Sequence, residues 1–314
     1  MMGLFVFRER LRDFYGKFSM YINPVIHFLF GLAAVIILNS NLGFMVKLTS
    51  PVVVLVIALV CSFLPYSVIS LVVAFLTLIH LFSASMEIAL IVGVVFFVIV
   101  LLYCGLQPGN SFLLVLTPML FFTNIPYALP LLVGLGGGLS AIIPVSFGVF
   151  IYYVLLYIKQ NVGTLAGTAA AADITEKYVQ IIRSIISNQT MLVMVIGFAL
   201  AIAVVYMIKR LSVDYSWYLA IAAGVIVQLG AIFVGDVLFS VSVSMGTMIA
   251  GMLVSVILAL IYTFFVFAVD YTRTEFLQYE DDDYYYYVKA VPKITVTAPD
   301  VKVQKINSRR RRAE

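Results

Sequence analysis

Charged residues are scarce in this 314-residue chain, because Asp, Glu, Lys and Arg together make up 11% of it while 63% of its residues are apolar. A soluble domain has about a quarter charged residues and roughly half apolar ones. The apolar excess belongs in a bilayer, since a soluble chain of this composition would aggregate. The composition therefore predicts a membrane protein, and we expect the lipid bilayer rather than nucleic acid as its partner.

Cysteine and histidine are nearly absent, with two residues of each. Cys61 and Cys104 both lie in apolar runs, and neither a paired cysteine framework nor a metal-ligand spacing is visible. No His-Glu-x-x-His or Gly-x-Ser-x-Gly sequence occurs, and the two histidines build no obvious catalytic triad. We therefore do not expect an enzyme, a metal site or a cofactor.

Long apolar runs separated by short breaks fill the chain instead. A spanning helix needs about 20 apolar residues, so the pattern predicts an all-α, polytopic helical membrane bundle of about ten spans. Two short runs, 51–64 and 110–124, are tilted, re-entrant or part of longer kinked helices, and re-entrant segments would lower the number to about eight. The predicted spans are residues 23–39, 51–64, 66–82, 86–104, 110–124, 126–142, 144–158, 190–208, 217–239 and 246–268.

The same pattern predicts five segments along the chain. Residues 1–22 form a cytoplasmic amphipathic segment, and residues 23–158 form a first transmembrane bundle with interrupted helices. Residues 159–189 form an extracytoplasmic loop that contains an amphipathic helix. A second bundle follows at 190–268, and residues 269–314 form a short cytoplasmic tail that is partly strand-like.

Lys and Arg are distributed unevenly between the two sides of this predicted topology. Fifteen of the nineteen lie in the N-terminal segment, in the tail and at Lys209 and Arg210. The other four, Lys47, Lys159, Lys177 and Arg183, fall on the opposite side. Positive residues remain on the cytoplasmic side of a membrane, so both termini are predicted to be cytoplasmic.

Residues 124–144 combine three prolines and four glycines with an apolar background. Proline removes a backbone donor and glycine loosens a helix. Since every freed backbone group in hydrocarbon must find a partner, we expect either a kinked helix packed against other helices or a broken helix that lines a polar cavity. The expected helix-breaking residues are Pro126, Pro130, Gly136, Gly137, Gly138 and Pro144.

A few polar side chains interrupt the apolar runs and are candidates for binding a substrate or an ion. Asp236 either binds a proton or cation, or marks the outer end of its helix. Gln228, two turns earlier, is interpreted as a helix–helix hydrogen bond. His80 and Glu87 flank a short turn, where they either form a proton relay or lie at the headgroup level. Asn124, at the start of the proline-rich stretch, completes the set.

The tail, residues 269–314, has a different chemistry. An acidic patch at 278–283 precedes four consecutive tyrosines, and residues 288–306 alternate apolar with polar side chains. The alternation predicts a strand or a small hairpin that pairs on itself or on a partner. The tail residues expected to bind a partner or anionic lipid are Tyr284, Tyr285, Tyr286, Tyr287, Arg309, Arg310, Arg311 and Arg312.

Two stretches of the tail carry a resemblance to a known family. Asp-Tyr-Thr-Arg-Thr-Glu at 270–275 and Tyr-Tyr-Tyr-Tyr-Val-Lys-Ala-Val-Pro-Lys at 284–293 resemble the tail of an uncharacterised family of multi-pass bacterial membrane proteins. The resemblance is most specific over 270–294. It implies a location in the bacterial plasma membrane and implies no particular activity.

Two functions are compatible with the sequence. Interrupted helices and intramembrane polar residues favour a transporter or permease-like subunit. Its energy would come from an ion gradient or a separate cytosolic ATPase, because the glycines at 134–138 lack the Lys-Ser/Thr of a phosphate loop. The strand-like tail favours the alternative, a non-transporting membrane scaffold that recruits an envelope-assembly partner.

The cytoplasmic assignment of the tail gives a first prediction. A cysteine introduced by Ser308→Cys should be inaccessible to a membrane-impermeant maleimide added to intact cells, and should react after the cells are opened. An intracellular protein with an exposed cysteine serves as the control. Strong labelling of Ser308→Cys in intact cells, with the control unlabelled, would reverse the predicted topology.

Overall fold

The computed structural model describes residues 2–106, 108–165, 179, 183–184, 186–213, 215–239, 244–266, 275–280 and 283–291. The chain forms two units, and each is considered by itself. One unit comprises Phe18–Val266, and the other comprises Met1–Lys17 together with Phe267–Glu314.

Ten α-helices account for most of the described residues. Non-helical backbone angles at Phe18 (φ −115°, ψ 18°) divide the first of them into two. The helices are α1 (Met2–Asn41), α2 (Pro51–Cys61), α3 (Tyr66–Ala84), α4 (Met86–Leu106), α5 (Phe112–Phe122), α6 (Ala128–Gly136), α7 (Ile142–Leu165), α8 (Gln189–Lys209), α9 (Ser216–Phe239) and α10 (Met245–Val266).

Six stretches of the described helices are long and apolar enough to cross a membrane. They are Val6–Asn41, Tyr66–Ala84, Leu139–Gly163, Gln189–Lys209, Ser216–Phe239 and Met245–Val266. The chain is therefore a membrane protein built as an all-α helical bundle, as its composition predicted. The number of crossings, ten or eight, stays a prediction.

Three short helices lie among the long ones. Helices α2 and α5 have 11 residues each and α6 has 9. At about 1.5 Å per residue such helices extend roughly 14 to 17 Å, which is about half of a 30 Å hydrocarbon core. The predicted span at 126–142 thus contains a half-length helix, and the predicted spans at 51–64 and 110–124 do as well.

Among the described residues, the two largest apolar clusters of the unit Phe18–Val266 join most of its helices. The first joins α5 through α10 and includes Phe121, Tyr153 and Phe198. The second joins α1 through α4 to α7 and includes Leu81 and Ile158. Lipid tails are as apolar as these side chains, so close van der Waals packing rather than removal of water stabilises the contact between the helices.

Small residues allow α8 and α9 to approach each other closely. A Cβ atom added to Gly224 would lie 2.4 Å from Val205 Cγ2 and 2.7 Å from Leu131 Cδ2. A Cβ atom added to Gly235 would lie 2.5 Å from Val193 Cγ1. Gly230, on the same helix, faces outward with no atom within 4 Å of that position. The contact between the helices therefore depends on glycine at positions 224 and 235.

The second unit contains an antiparallel hairpin. Strand β1 (Glu275–Glu280) pairs with β2 (Tyr285–Ala290), and the rings of Tyr279 and Tyr286 stack with centroids 4.9 Å apart. The hairpin begins before the strand expected at 288–306 and takes up half of the acidic patch. Residues 292–306 lie outside the described part of the chain, so the remainder of that prediction is untested.

The glycine contact between α8 and α9 gives a second prediction. Gly224→Ala should lower the free energy of unfolding by about 1–3 kcal/mol, because its methyl group would overpack Val205 and Leu131. Gly230→Ala adds the same methyl group in open space and should raise stability by up to about 1 kcal/mol through helix propensity. Thermal unfolding in detergent, followed by circular dichroism, measures both. Equal stability of the two variants would contradict the close approach.

Candidate functional site

A turn that contains Asn124 joins α5 to α6. Its φ of 61° lies in the left-handed region, which Asn tolerates better than most residues. The N–H groups of Asn124 and Ile125 donate to the carbonyl oxygens of Phe121 (3.1 Å) and Leu120 (2.9 Å). These bonds satisfy the last carbonyls of α5, so the break leaves few free backbone acceptors.

The other end of α6 is stabilised by a cation from α8. Gly137 and Gly138 are extended, so the helix ends at Gly136. Lys209 Nζ donates to the carbonyl oxygens of Leu135 (2.8 Å) and Gly137 (3.0 Å). A lysine at this position complements the partial negative charge of a helix C-terminus. The half-helix is thus closed by hydrogen bonds at both ends.

The expected helix-breaking residues lie at three places in this region. Pro126 lies two residues before the start of α6, and Pro130 lies in its first turn. The glycines end the helix, and Pro144 lies in the first turn of α7. Seven of the nine residues of α6 are buried, so this broken helix packs against protein on most sides.

A cavity of about 430 Å³ lies beside the turn that joins α5 to α6. Its walls come from the turn, from α7 and from the first residues of α8 and α10. None of the described residues that line it carries a formal charge. The lining residues are Phe121, Asn124, Pro126, Tyr127, Tyr152, Tyr153, Leu156, Gln160, Asn188, Thr190, Met194, Ser244, Thr247 and Met248.

An aromatic cluster forms one wall of the cavity. The rings of Phe121 and Tyr152 stack at 4.5 Å, and Tyr153 packs against Tyr152 at 5.1 Å. Tyr127 and Tyr153 are 4% and 8% exposed. Within the described part of the chain, the hydroxyls of all three tyrosines make no hydrogen bond. The hydroxyl oxygens are not among the enclosed polar atoms of the described chain, so they are open to the cavity, where water or a ligand can bond to them.

Three helices begin at the cavity. Tyr127 precedes α6 without a side-chain cap, whereas Asn188 Oδ1 accepts the N–H of Met191 at the start of α8 at 3.0 Å. At the start of α10, the hydroxyl of Thr247 donates to the carbonyl oxygen of Ser244 at 2.9 Å. First-turn N–H groups have no partner within their own helix and carry partial positive charge. In α6 the N–H groups of Ala128 and Leu129 donate to Ile125 and Pro126. The described lining is therefore uncharged in its side chains, and the starts of α8 and α10 add positive backbone dipoles.

Of the polar residues that the sequence singled out, Asn124 lines this cavity. Asp236 is exposed near the end of α9 and lines a separate, mostly apolar groove of about 500 Å³. Met248 lies between the two, because it lines both. Gln228 is 2% exposed, and neither its side-chain oxygen nor its nitrogen has a hydrogen-bond partner.

His80 is fully buried and holds a loop at one end of the bundle. Its Nε2 lies 2.8 Å from Asn39 Oδ1, and its Nδ1 accepts the N–H of Met45 at 3.3 Å. Both ring nitrogens are therefore occupied, and no hydrogen bond or ion pair among the described residues joins His80 to Glu87. Glu87 lies in the first turn of α4, where a carboxylate is favoured by the helix dipole.

The structure describes some of the tail residues that were expected to bind a partner or lipid. Tyr285, Tyr286 and Tyr287 belong to β2, and Tyr284 lies just before it. Arg309, Arg310, Arg311 and Arg312 lie outside the described residues. No group of three or more His, Cys, Asp or Glu residues that could hold a metal ion occurs in the described part of the chain.

Sequence reasoning found the break but missed most of the cavity wall. Tyr152 and Tyr153 lie in an apolar run, and a tyrosine pair there is the signal that would have drawn attention to α7. Asn188 precedes an apolar run at a typical N-cap position. Ser244 ends a run of small hydroxyls, which are common in membrane helices, so the sequence does not distinguish Ser244 and Thr247 as a cap or a lining.

No family model matches this chain, and no curated protein and no solved structure has a significant match to it.

The lysine that closes α6 gives a third prediction. Lys209→Met should lower the free energy of unfolding by about 1–2 kcal/mol, because two helix-end carbonyls lose a charged donor. Arg210→Met is the matched control, since both cations lie over the ring of Tyr206, at 4.9 and 5.1 Å. Thermal unfolding in detergent measures the difference. If the two variants are equally stable, the bonds to Leu135 and Gly137 contribute nothing.

Proposed function

We propose that the protein is a transporter or permease-like subunit of the bacterial plasma membrane and that the cavity beside Asn124 is its substrate site. The observation that carries the proposal is the interrupted pair α5 and α6 next to a polar cavity inside an apolar bundle. Discontinuous helices that meet at a polar site are the common design of membrane transporters.

The energetic cost of the polar lining supports a ligand site. An amide or hydroxyl buried without a partner costs about 1–3 kcal/mol on the scale of protein mutations. The cavity collects three tyrosine hydroxyls that the described chain leaves unbonded. These hydroxyls avoid that cost because they are open to the cavity, where water or a solute can bond to them. A bundle with a purely structural role would be better served by apolar side chains at these positions.

The size of the cavity suits a small solute. Sites for small molecules have volumes of about 300–1,000 Å³, and this cavity lies within that range at about 430 Å³. Two of its lining residues at the start of α10, Ser244 and Thr247, are exposed. With the termini in the cytoplasm as predicted, the end of the bundle that carries the cavity faces away from the cytoplasm.

The energy for transport would come from an ion gradient or from a separate cytosolic ATPase. Asp236 is our candidate for the residue that couples transport to protons or cations. It shares Met248 with the cavity and lies in an apolar groove, where its charge is costly without water or a cation. This role is part of the proposal.

A second candidate function is a membrane scaffold that recruits an envelope-assembly partner through the tail. The observation that favours it is the hairpin β1–β2, where Tyr285 and Tyr287 are 69% and 75% exposed. A two-stranded hairpin is marginally stable in water and offers open strand edges to a partner sheet. The transport proposal has the stronger basis, because the cavity is formed entirely within the helical unit.

Reconstitution into liposomes tests the proposal without knowledge of the substrate. Stopped-flow light scattering with a panel of small polar solutes should show permeation of at least one solute that depends on the protein. Thr247→Trp places a large ring in the cavity and should abolish the permeation. Gly246→Trp is the control, since that neighbouring position has no atom within 4 Å and does not line the cavity.

The outcome separates the two functions. If no solute moves and the full-length protein retains a co-purifying partner that truncation after Asp270 removes, the scaffold function is correct. If Thr247→Trp and Gly246→Trp permeate a solute equally well, transport does not pass through this cavity.

A further inference from the structure

The lining of the cavity points to a class of substrate, and this inference rests on the transport function proposed above. We infer that the cavity binds a small anion through oxygen atoms such as those of a carboxylate or phosphate. The donors would be tyrosine hydroxyls and the first N–H groups of helices, rather than a lysine or arginine side chain.

Unpartnered hydroxyls supply the first donors. Tyr127 and Tyr153 are more than nine-tenths buried, line the cavity and make no hydrogen bond within the described chain. They come from different elements, the turn before α6 and the middle of α7. A phenol donates one hydrogen bond, and such bonds are stronger when the acceptor is ionised.

Helix termini supply the positive potential. The starts of α6, α8 and α10 contribute Tyr127, Asn188, Thr190, Ser244 and Thr247 to the lining. The first N–H groups of α6 already donate to Ile125 and Pro126, so the starts of α8 and α10 supply this potential. Each helix N-terminus carries roughly half of an elementary charge, which favours an anion over a neutral solute of the same shape. This potential does not depend on a charged side chain.

The described lining offers a cation neutral oxygens, such as those of Asn124 and Gln160, but no carboxylate. No carboxylate lines the cavity, and Asp236 faces the separate groove beyond Met248. The carbonyl oxygens at the end of α5 already accept bonds from Thr123, Asn124 and Ile125. A bound cation would therefore meet the positive starts of α8 and α10 without carboxylate ligands.

The absence of lysine and arginine from the described lining also suits transport. A buried, fully paired cation would hold an anion tightly and slow its release. Neutral donors bind an anion more weakly, which allows the site to release the substrate on the other side of the membrane. The lining thus has the chemistry of a site with moderate affinity.

Calorimetric titration of the full-length protein tests the class of ligand. The protein is placed in nanodiscs of zwitterionic phosphatidylcholine, and the probes are lactate and inorganic phosphate as anions, glycerol as a neutral solute and choline as a cation. We expect binding of at least one anion and no binding of glycerol or choline. A second set of nanodiscs with phosphatidylglycerol shows whether an anionic lipid headgroup competes with the free anion.

Single-atom variants link the binding to the cavity. Tyr127→Phe and Tyr153→Phe each remove one hydroxyl and should weaken anion binding about tenfold. Tyr157→Phe, one turn along the same helix α7 and outside the cavity lining, is the matched control and should bind as the parent does. Competition by phosphatidylglycerol that is weakened by the same two variants would assign the anion to a lipid headgroup.

Failure of the inference is distinguishable from failure of the transport function. Unchanged anion binding in Tyr127→Phe and Tyr153→Phe, or absence of any anion binding, overturns the inference. Permeation of a neutral or cationic solute that Thr247→Trp blocks leaves transport intact and overturns only the class of substrate. Anion binding that depends on both hydroxyls, in a protein that moves no solute, supports the anion site and overturns transport.

Discussion

A constraint on backbone hydrogen bonds governs this molecule: inside an apolar bundle, every N–H and C=O group that a helix break releases must find another partner. Two half-length helices, α5 and α6, meet this constraint in different ways at their ends. The turn at Asn124 satisfies the last carbonyls of α5 from within the chain, and Lys209 reaches across from α8 to the last carbonyls of α6. The start of α6 has no side-chain cap. The first N–H groups of α6, at Ala128 and Leu129, donate instead to the carbonyl oxygens of Ile125 and Pro126. The break is thus closed in its backbone, and the unbonded groups beside it are the tyrosine hydroxyls that line the cavity.

The rest of the bundle holds this break in place. Glycines at 224 and 235 bring α8 and α9 into close contact. On α10, a Cβ atom added to Gly251 would lie 2.7 Å from the carbonyl oxygen of Asn124, so glycine at this position allows the turn to approach α10 closely. Aromatic rings from α5, α7 and α8 then fill the space on one side of the turn. Because these contacts fix the helices, the polar groups of the cavity are held apart from one another. Because these groups cannot reach one another, they remain available to a ligand.

Much of the fold follows from the sequence, since a composition with 11% charged residues permits little besides a membrane bundle. The break was also predictable, because three prolines and four glycines in an apolar run cannot form a regular, lipid-exposed helix. The cavity was not. Its tyrosines come from a turn and from α7, and its hydroxyls come from the starts of α8 and α10, so only the packing of distant helices brings them together. His80 shows that closeness in sequence does not guarantee a contact. It lies seven residues before Glu87 in the sequence, but its ring nitrogens bond to Asn39 and Met45, which come from an earlier part of the chain.

Accessibility of the cavity from the two sides of the membrane tests the central claim most directly. Thr247→Cys can be reacted with a membrane-impermeant maleimide in right-side-out and in inside-out vesicles, with Ala259→Cys in the buried core of α10 as the reference. The claim of a water-filled, alternately open site predicts rapid labelling of Thr247→Cys in right-side-out vesicles, slower but measurable labelling in inside-out vesicles, and protection of Ala259→Cys in both. Protection of Thr247→Cys in both, at the level of Ala259→Cys, would contradict it.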